Sequence, residues 1–306
     1  MLKKSFIMVV FGLLAACSAE ETLPQIVDDV TSIEEERRVG SLLAQFKHPR
    51  GERDEGLTVH AQFLDVRGVQ LDSALESLEV WTPDVHLDVA SCSLRTPARY
   101  ASTAGADQFR LDLLDVGRIR VEGPAQSIEL EARRLPDLLS AFSGVIYGTE
   151  QGFGERRLLD YAPASSYRFS APGYGVTGGF SVEMFAPEPL HIAEVSRRDV
   201  RYHSTARLTL GSDIELGWNM ADSGERADIF IDVSTGYGPD RARLKCRAED
   251  DGFFTIPAGM LDQLLDETAT LEVSMRRVHT LNVDIKGLDV SEFIIATTDE
   301  ITVVFD

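Results

Sequence analysis

The sequence predicts a mainly β protein, built as two antiparallel β-sandwich-like (Ig-like) domains with one short crossover helix. Three observations carry that expectation. Apolar and polar residues alternate at period two in run after run, the mark of half-buried strands. Turn residues separate those runs at the spacing of sandwiches and barrels. Only Pro257–Leu265 reads as a decent helix. With 306 residues and 43% hydrophobic composition, the chain can bury one very large core or two ordinary ones.

The N-terminus carries the sharpest signal. Lys3 and Lys4 precede an apolar run, Phe6–Leu14. That run is shorter than the ~20 residues a bilayer span needs, and it suits the hydrophobic part of a signal peptide. It ends in Leu14-Ala15-Ala16-Cys17. This segment resembles the lipobox of bacterial lipoproteins. The resemblance implies cleavage between Ala16 and Cys17, lipidation of Cys17 and, with Ser18 following rather than Asp, an outer-membrane address. Residues 1–16 are then a signal peptide, and the membrane is a partner through the acyl chains on Cys17. Two or more such chains hold a protein stably, where a single one binds only marginally.

Residues 17–55 read as the lipidated N-terminus and an acidic tether. Within them Ile33–Phe46, with Leu42, Leu43 and Phe46, suggests a short amphipathic helix, and Lys47–Glu55 a charged loop. The first domain is expected over 56–187. Leu57, Val59, Ala61 and Phe63 alternate with Thr58, His60 and Gln62. Similar alternation follows at Phe109–Leu113, Ile119–Val121, Ile128–Ala132, Tyr167–Phe169 and Phe180–Met184. Leu135–Phe142 reads as a helical turn, and 148–164 as a long loop. Ala186-Pro187-Glu188-Pro189 breaks the ladder, because proline donates no hydrogen bond to a sheet. The second domain, 188–306, has strand patterns at Leu208–Leu210, Ile214–Trp218, Ile229–Val233, Ala242–Cys246, Leu271–Met275, Leu281–Ile285 and Ile301–Phe305. These runs are too short, and too charged on their outward positions, for a transmembrane barrel.

Residues 167–306 also resemble a module of uncharacterised bacterial surface and outer-membrane lipoproteins. The resemblance rests on Tyr167-Arg168-Phe169-Ser170-Ala171-Pro172-Gly173, Phe180-Ser181-Val182, Pro189-Leu190, Trp218 and Cys246. It continues through Asp251-Gly252-Phe253-Phe254-Thr255-Ile256-Pro257-Ala258 and Leu261–Leu265. The second proline–glycine pair usual in its turn is here Tyr174-Gly175. The resemblance implies a β-sandwich-like architecture and an envelope location, with no catalytic role attached.

The formal charge is −20 and becomes −22 once Lys3 and Lys4 leave with the signal peptide. Arg outnumbers Lys 25 to 5. Such an acidic exterior argues against nucleic-acid binding and reads as a solvated coat. An oxidising compartment allows a disulfide between Cys92 and Cys246, with two buried free thiols as the alternative. Cys246 is in phase with Ala242 and Leu244 and so points inward. If the boundary lies at 187, however, the two cysteines belong to different domains.

No metal is expected: the six histidines (His48, His60, His86, His191, His203 and His279) lack ligand spacing. No cofactor is implied and no catalytic residue is assigned, since no Gly-x-Ser-x-Gly elbow occurs. Glu249-Asp250-Asp251 and Asp112/Asp115 lack a calcium-loop pattern and read as turns or solvated surface. Two carboxylates of a glycosidase need no fixed spacing, so that chemistry stays open. Trp81, Trp218, Tyr174 and Tyr237 are candidates for an aromatic binding face. Trp218 alternates with core positions, while Tyr237, in Thr235-Gly236-Tyr237-Gly238-Pro239, occupies an exposed loop; Tyr237 and Trp81 mark the place to look for binding. The expectation is a lipid-anchored, non-catalytic structural or protein-interaction module of the cell envelope. The alternatives are a carbohydrate- or small-ligand-binding surface lipoprotein and, third, an envelope hydrolase.

Overall fold

A computed structural model describes residues 37–48, 56–67, 81–95, 110–130, 132–139, 142–149, 158–222, 227–235, 242–265 and 269–306, all within one compact unit. The chain is mainly β. Strands β1 (Arg37–Lys47), β2 (Leu57–Arg67), β3 (Ser91–Arg95), β4 (Arg110–Leu113), β5 (Ile119–Glu122) and β6 (Ser127–Leu130) come first. They are followed by β7 (Ala132–Leu139), β8 (Phe142–Gly148), β9 (Ser166–Ala171) and β10 (Phe180–Phe185). Beyond the proline pair come β11 (Ile192–Val195), β12 (Arg198–Asp199), β13 (Thr205–Leu208), β14 (Ile214–Trp218), β15 (Asp228–Ser234) and β16 (Arg243–Ala248). The last elements are β17 (Phe253–Ile256), helix α1 (Ala258–Leu261), β18 (Thr270–Asn282) and β19 (Val290–Phe305).

One large sheet runs through the molecule in the order β3-β16-β15-β18-β19-β1-β2-β4-β8-β7, with β13 continuing the β1 edge of β19. Two four-stranded sheets, β10-β9-β5-β6 and β12-β11-β14-β17, complete the strands. Each small sheet shares a core with part of the large one. The first core packs Phe63, Val59 and Tyr147 of the large sheet with Ile119, Phe169 and Val182. The second packs Ile231, Leu244, Val273 and Val303 with Ile214, Leu216 and Ile256.

The long β18–β19 hairpin explains how one sheet serves two cores. Odd-numbered residues of β19 share one face. Phe293 and Ile295 enter the first core, and Ile301, Val303 and Phe305 the second. Ile294 and Ala296 point the other way, into a small cluster with Leu43, Phe230 and Val278.

Chain order and sheet order part company in two places. β3, far upstream of Pro187, is the outer strand beside β16, with Cys92 opposite Cys246. β1 lies parallel to the first half of β19, Val39 opposite Val290. The segment expected as a short helix, Ile33–Phe46, therefore contains a central strand. With neighbours on both edges and both faces covered, β1 buries six consecutive residues, Val39–Ala44, and loses the alternation that would mark it. The helical turn expected over Leu135–Phe142 is likewise replaced by the end of β7 and the start of β8. Pro136 is tolerated there because β7 is an edge strand. The expected helix at Pro257 is present but short: Leu261 and Leu264 seal the second core. No helix among the described residues is long and apolar enough to cross a membrane.

Candidate functional site

Between the two cores the apolar face of the hairpin is interrupted. On β18 the inward series Leu271, Val273, Met275 gives way to Arg277, and on β19 Thr297 and Asp299 separate Ile295 from Ile301. All three polar residues are buried, and Arg277 is fully so. The linker that joins the two chain halves crosses there, and two of its carbonyls are among the partners. Arg277 Nη1 donates to Glu188 O (3.1 Å) and Pro189 O (3.0 Å), and Nη2 to Asn219 O (2.6 Å) and Asp250 Oδ1 (2.8 Å). Nε donates to Asp250 Oδ2 (2.7 Å). Guanidinium has five N–H donors, and all five are used. Asp250 also accepts from Trp218 Nε1 at 2.9 Å. Thr297 Oγ1 donates to Glu188 O (3.0 Å), and Asp299 Oδ2 accepts from Ile192 N (2.8 Å).

This seam is a clamp. Prolines that cannot join a ladder leave carbonyls needing donors, and a buried arginine supplies them while its charge is met by a bidentate carboxylate. A shallow dent above it, lined by Ala164, Ala186, Pro187, Ala221, Ala227 and His279 among others, encloses no space large enough for a water molecule. Nearby, Tyr161 donates to Pro187 O and stacks on Phe46, ring centroids 4.3 Å apart. Burial pushes the hydroxyls of Tyr161, Tyr167 and Tyr147 above the usual tyrosine range. Tyr147 donates to Asp115 Oδ1 (2.8 Å), and Tyr167 to Asp160 O (2.8 Å). All three act as neutral hydrogen-bonding pegs at ordinary pH.

Of the residues singled out in the sequence, Cys92 meets Cys246 and Trp218 meets Asp250, and the others lie apart from these pairs. Cys92 and Cys246 are joined in a disulfide across 154 positions of sequence, which ties the edge strand β3 to β16. Trp81 lies against the opposite face of the large sheet from Trp218, beside Phe230. Its indole N–H donates to Asp232 Oδ2 (2.7 Å), and the Arg276 guanidinium sits 4.5 Å from its ring centroid. Trp218 is buried at the seam. Tyr174 stands at an exposed loop tip. Tyr237, Ala16 and Cys17 lie outside the described residues.

Of the acidic sets, Asp251 caps the backbone N–H of Phe253, Asp250 faces Arg277, and Asp112 pairs with Arg110. The glycosidase and calcium readings gain no geometry from these partners. His48 and His191 meet edge to face, centroids 3.7 Å apart. Among the described residues no group of three or more His, Cys, Asp or Glu is placed to hold a metal ion.

Arg277 is not among the residues that the sequence singles out, although its position carries a signal. It continues the inward phase of Leu271, Val273 and Met275, and a charged residue at an inward position marks a buried pair rather than a surface. No family model, no curated protein and no solved structure matches this chain. The class that fold and site define is therefore a β protein of one shared sheet and two cores, clamped at a polar seam.

Proposed function

We propose that this chain is a lipid-anchored protein of the cell envelope, tethered through Cys17, whose two β-sandwich-like, Ig-like halves act as a non-catalytic structural or protein-docking module. The carrying observation is the pairing of Leu14-Ala15-Ala16-Cys17 with a disulfide-bonded β body. The first resembles an acylation signal. The second suits an oxidising compartment, because structural disulfides persist outside the cytosol and are rare within it. The clamped seam adds to the reading: a linker held by two arginine donors, on a guanidinium itself fixed by Asp250, resists bending between the two halves, as a spacer or docking platform requires.

Labelled palmitate fed to cells making the full chain tests the anchor. Label should enter the wild type and be lost in Cys17→Ala; equal labelling of both would overturn it. Cross-linking of the anchored protein in intact cells, with envelope proteins recovered and identified, tests the docking role.

A further inference from the structure

We propose that the loop tip at Tyr174–Val176, with the β18–β19 turn beneath it, rests on the lipid surface that anchors the chain. The inference rests on the lipid-anchor reading. The first described residue, Arg37, begins β1 at this end of the sheet. Arg38 N donates to Asp289 Oδ2 (2.7 Å), and Asp289 N returns a bond to Arg38 O (2.7 Å). Asp289 closes the turn that carries Lys286, and Lys286 O accepts from Gly178 N (2.7 Å). An unbroken chain of contacts thus leads from the point where the chain enters the body to the tip. The 19 residues 18–36 separate Arg37 from Cys17, a reach of at most about 70 Å. The tether therefore joins the body at this end.

What stands there suits a bilayer surface. Tyr174 is 65% exposed and Val176 56% exposed, with the exposed Lys286 beside them. Tyrosine and lysine both place an apolar body toward acyl chains and a polar end among headgroups. The tip is also stiff. Tyr174 and Thr177 exchange backbone hydrogen bonds (3.0 and 3.1 Å) around Gly175, whose φ of +60° suits the first central position of a II′ turn. Gly173 N donates to Val116 O (3.1 Å), and at Gly287 (φ +88°) a Cβ would lie 2.1 Å from Val176 O, so only glycine allows this approach. Two apolar side chains held outward on a pinned hairpin reach a surface with little ordering cost left.

Amide hydrogen exchange on the full acylated chain, in vesicles of phosphatidylethanolamine and phosphatidylglycerol and in detergent, tests the contact. Exchange at 174–177 and 285–288 should slow several-fold on vesicles. In the double variant Tyr174→Ser, Val176→Ser the slowing at 285–288 should disappear while the protein still floats with the vesicles. Equal exchange in vesicles and detergent, or undiminished slowing in the variant, overturns the contact and leaves the anchor standing. The mass of the Cys17 peptide reads the anchor separately; an unmodified peptide from a chain that fails to float removes both.

Discussion

Replacing Arg277 by methionine removes the guanidinium from the seam while keeping a long, unbranched side chain. The substitution leaves Asp250 buried with only the Trp218 indole as donor, and it strips the Arg277 donors from the carbonyls of Glu188, Pro189 and Asn219. Breaking a buried, hydrogen-bonded ion pair from one side costs about 3–5 kcal/mol. The carbonyls add little to this: Glu188 O keeps the Thr297 hydroxyl and Pro189 O keeps the Asn219 side-chain amide, while Asn219 O lies on an exposed residue. We expect a loss of about 4 kcal/mol, read as a lower urea midpoint in far-ultraviolet circular dichroism with an unchanged slope. On heating, each kcal/mol lowers Tm by about 2–4 °C in a domain of this size class, so a fall of roughly 8 °C or more is expected. Trp218 fluorescence should follow the same transition, because its N–H is bonded to Asp250. The double variant Arg277→Met, Asp250→Asn removes both charges and should recover part of the loss, with a coupling of at least about 1 kcal/mol. A single variant within 1 kcal/mol of wild type, or strictly additive costs, would refute the clamp.

Two further outcomes follow from other residues. Reducing the Cys92–Cys246 bond, or making the pair serine, opens a loop of 154 residues; chain-entropy reasoning sets the loss at up to about 5 kcal/mol. Urea midpoints that coincide with and without reductant would contradict this. Burial holds the Glu292 carboxyl above its usual value of 4.5. Its folded form therefore favours the neutral acid, a stabilising effect that is complete below pH 4.5 and lost as pH rises through the raised value. Glu292→Gln should accordingly be more stable than wild type at pH 7 and equal to it near pH 4, as thermal melts across that range will show.

The strand content was legible because most strands bury one face only, and period-two runs such as Ile214, Leu216, Trp218 announce that geometry. β1 was not, because a strand buried on both faces loses its alternation and looks like any apolar run. The partnership of β3 with β16 is pairing at a distance of about 150 residues, and nothing local in Ser91–Arg95 names its neighbour. Reading the chain as consecutive domains placed Cys92 and Cys246 apart, and the sheet puts them opposite each other. The Pro187 break was visible, yet it marks the crossing between two cores, while the sheet itself runs on unbroken through β18 and β19.

That continuity gives the buried charge its purpose. A slip of the β18–β19 hairpin by two residues keeps every odd-numbered side chain on the same face, so apolar patterning alone does not forbid it. The seam does. Two residues of slip would bring Met275 or His279 opposite Asp250 and leave that carboxylate buried without its arginine. The same slip would shift the turn at 284–289 by roughly 7 Å. It would break both the bond from Gly178 to Lys286 and the pair between Arg38 and Asp289. The polar residues in mid-sheet thus set the position of the tip at its end. A hydrophobic replacement would leave the turn contacts as the remaining penalty on a slip, and this is a physical reason for a fully buried arginine where leucine would pack.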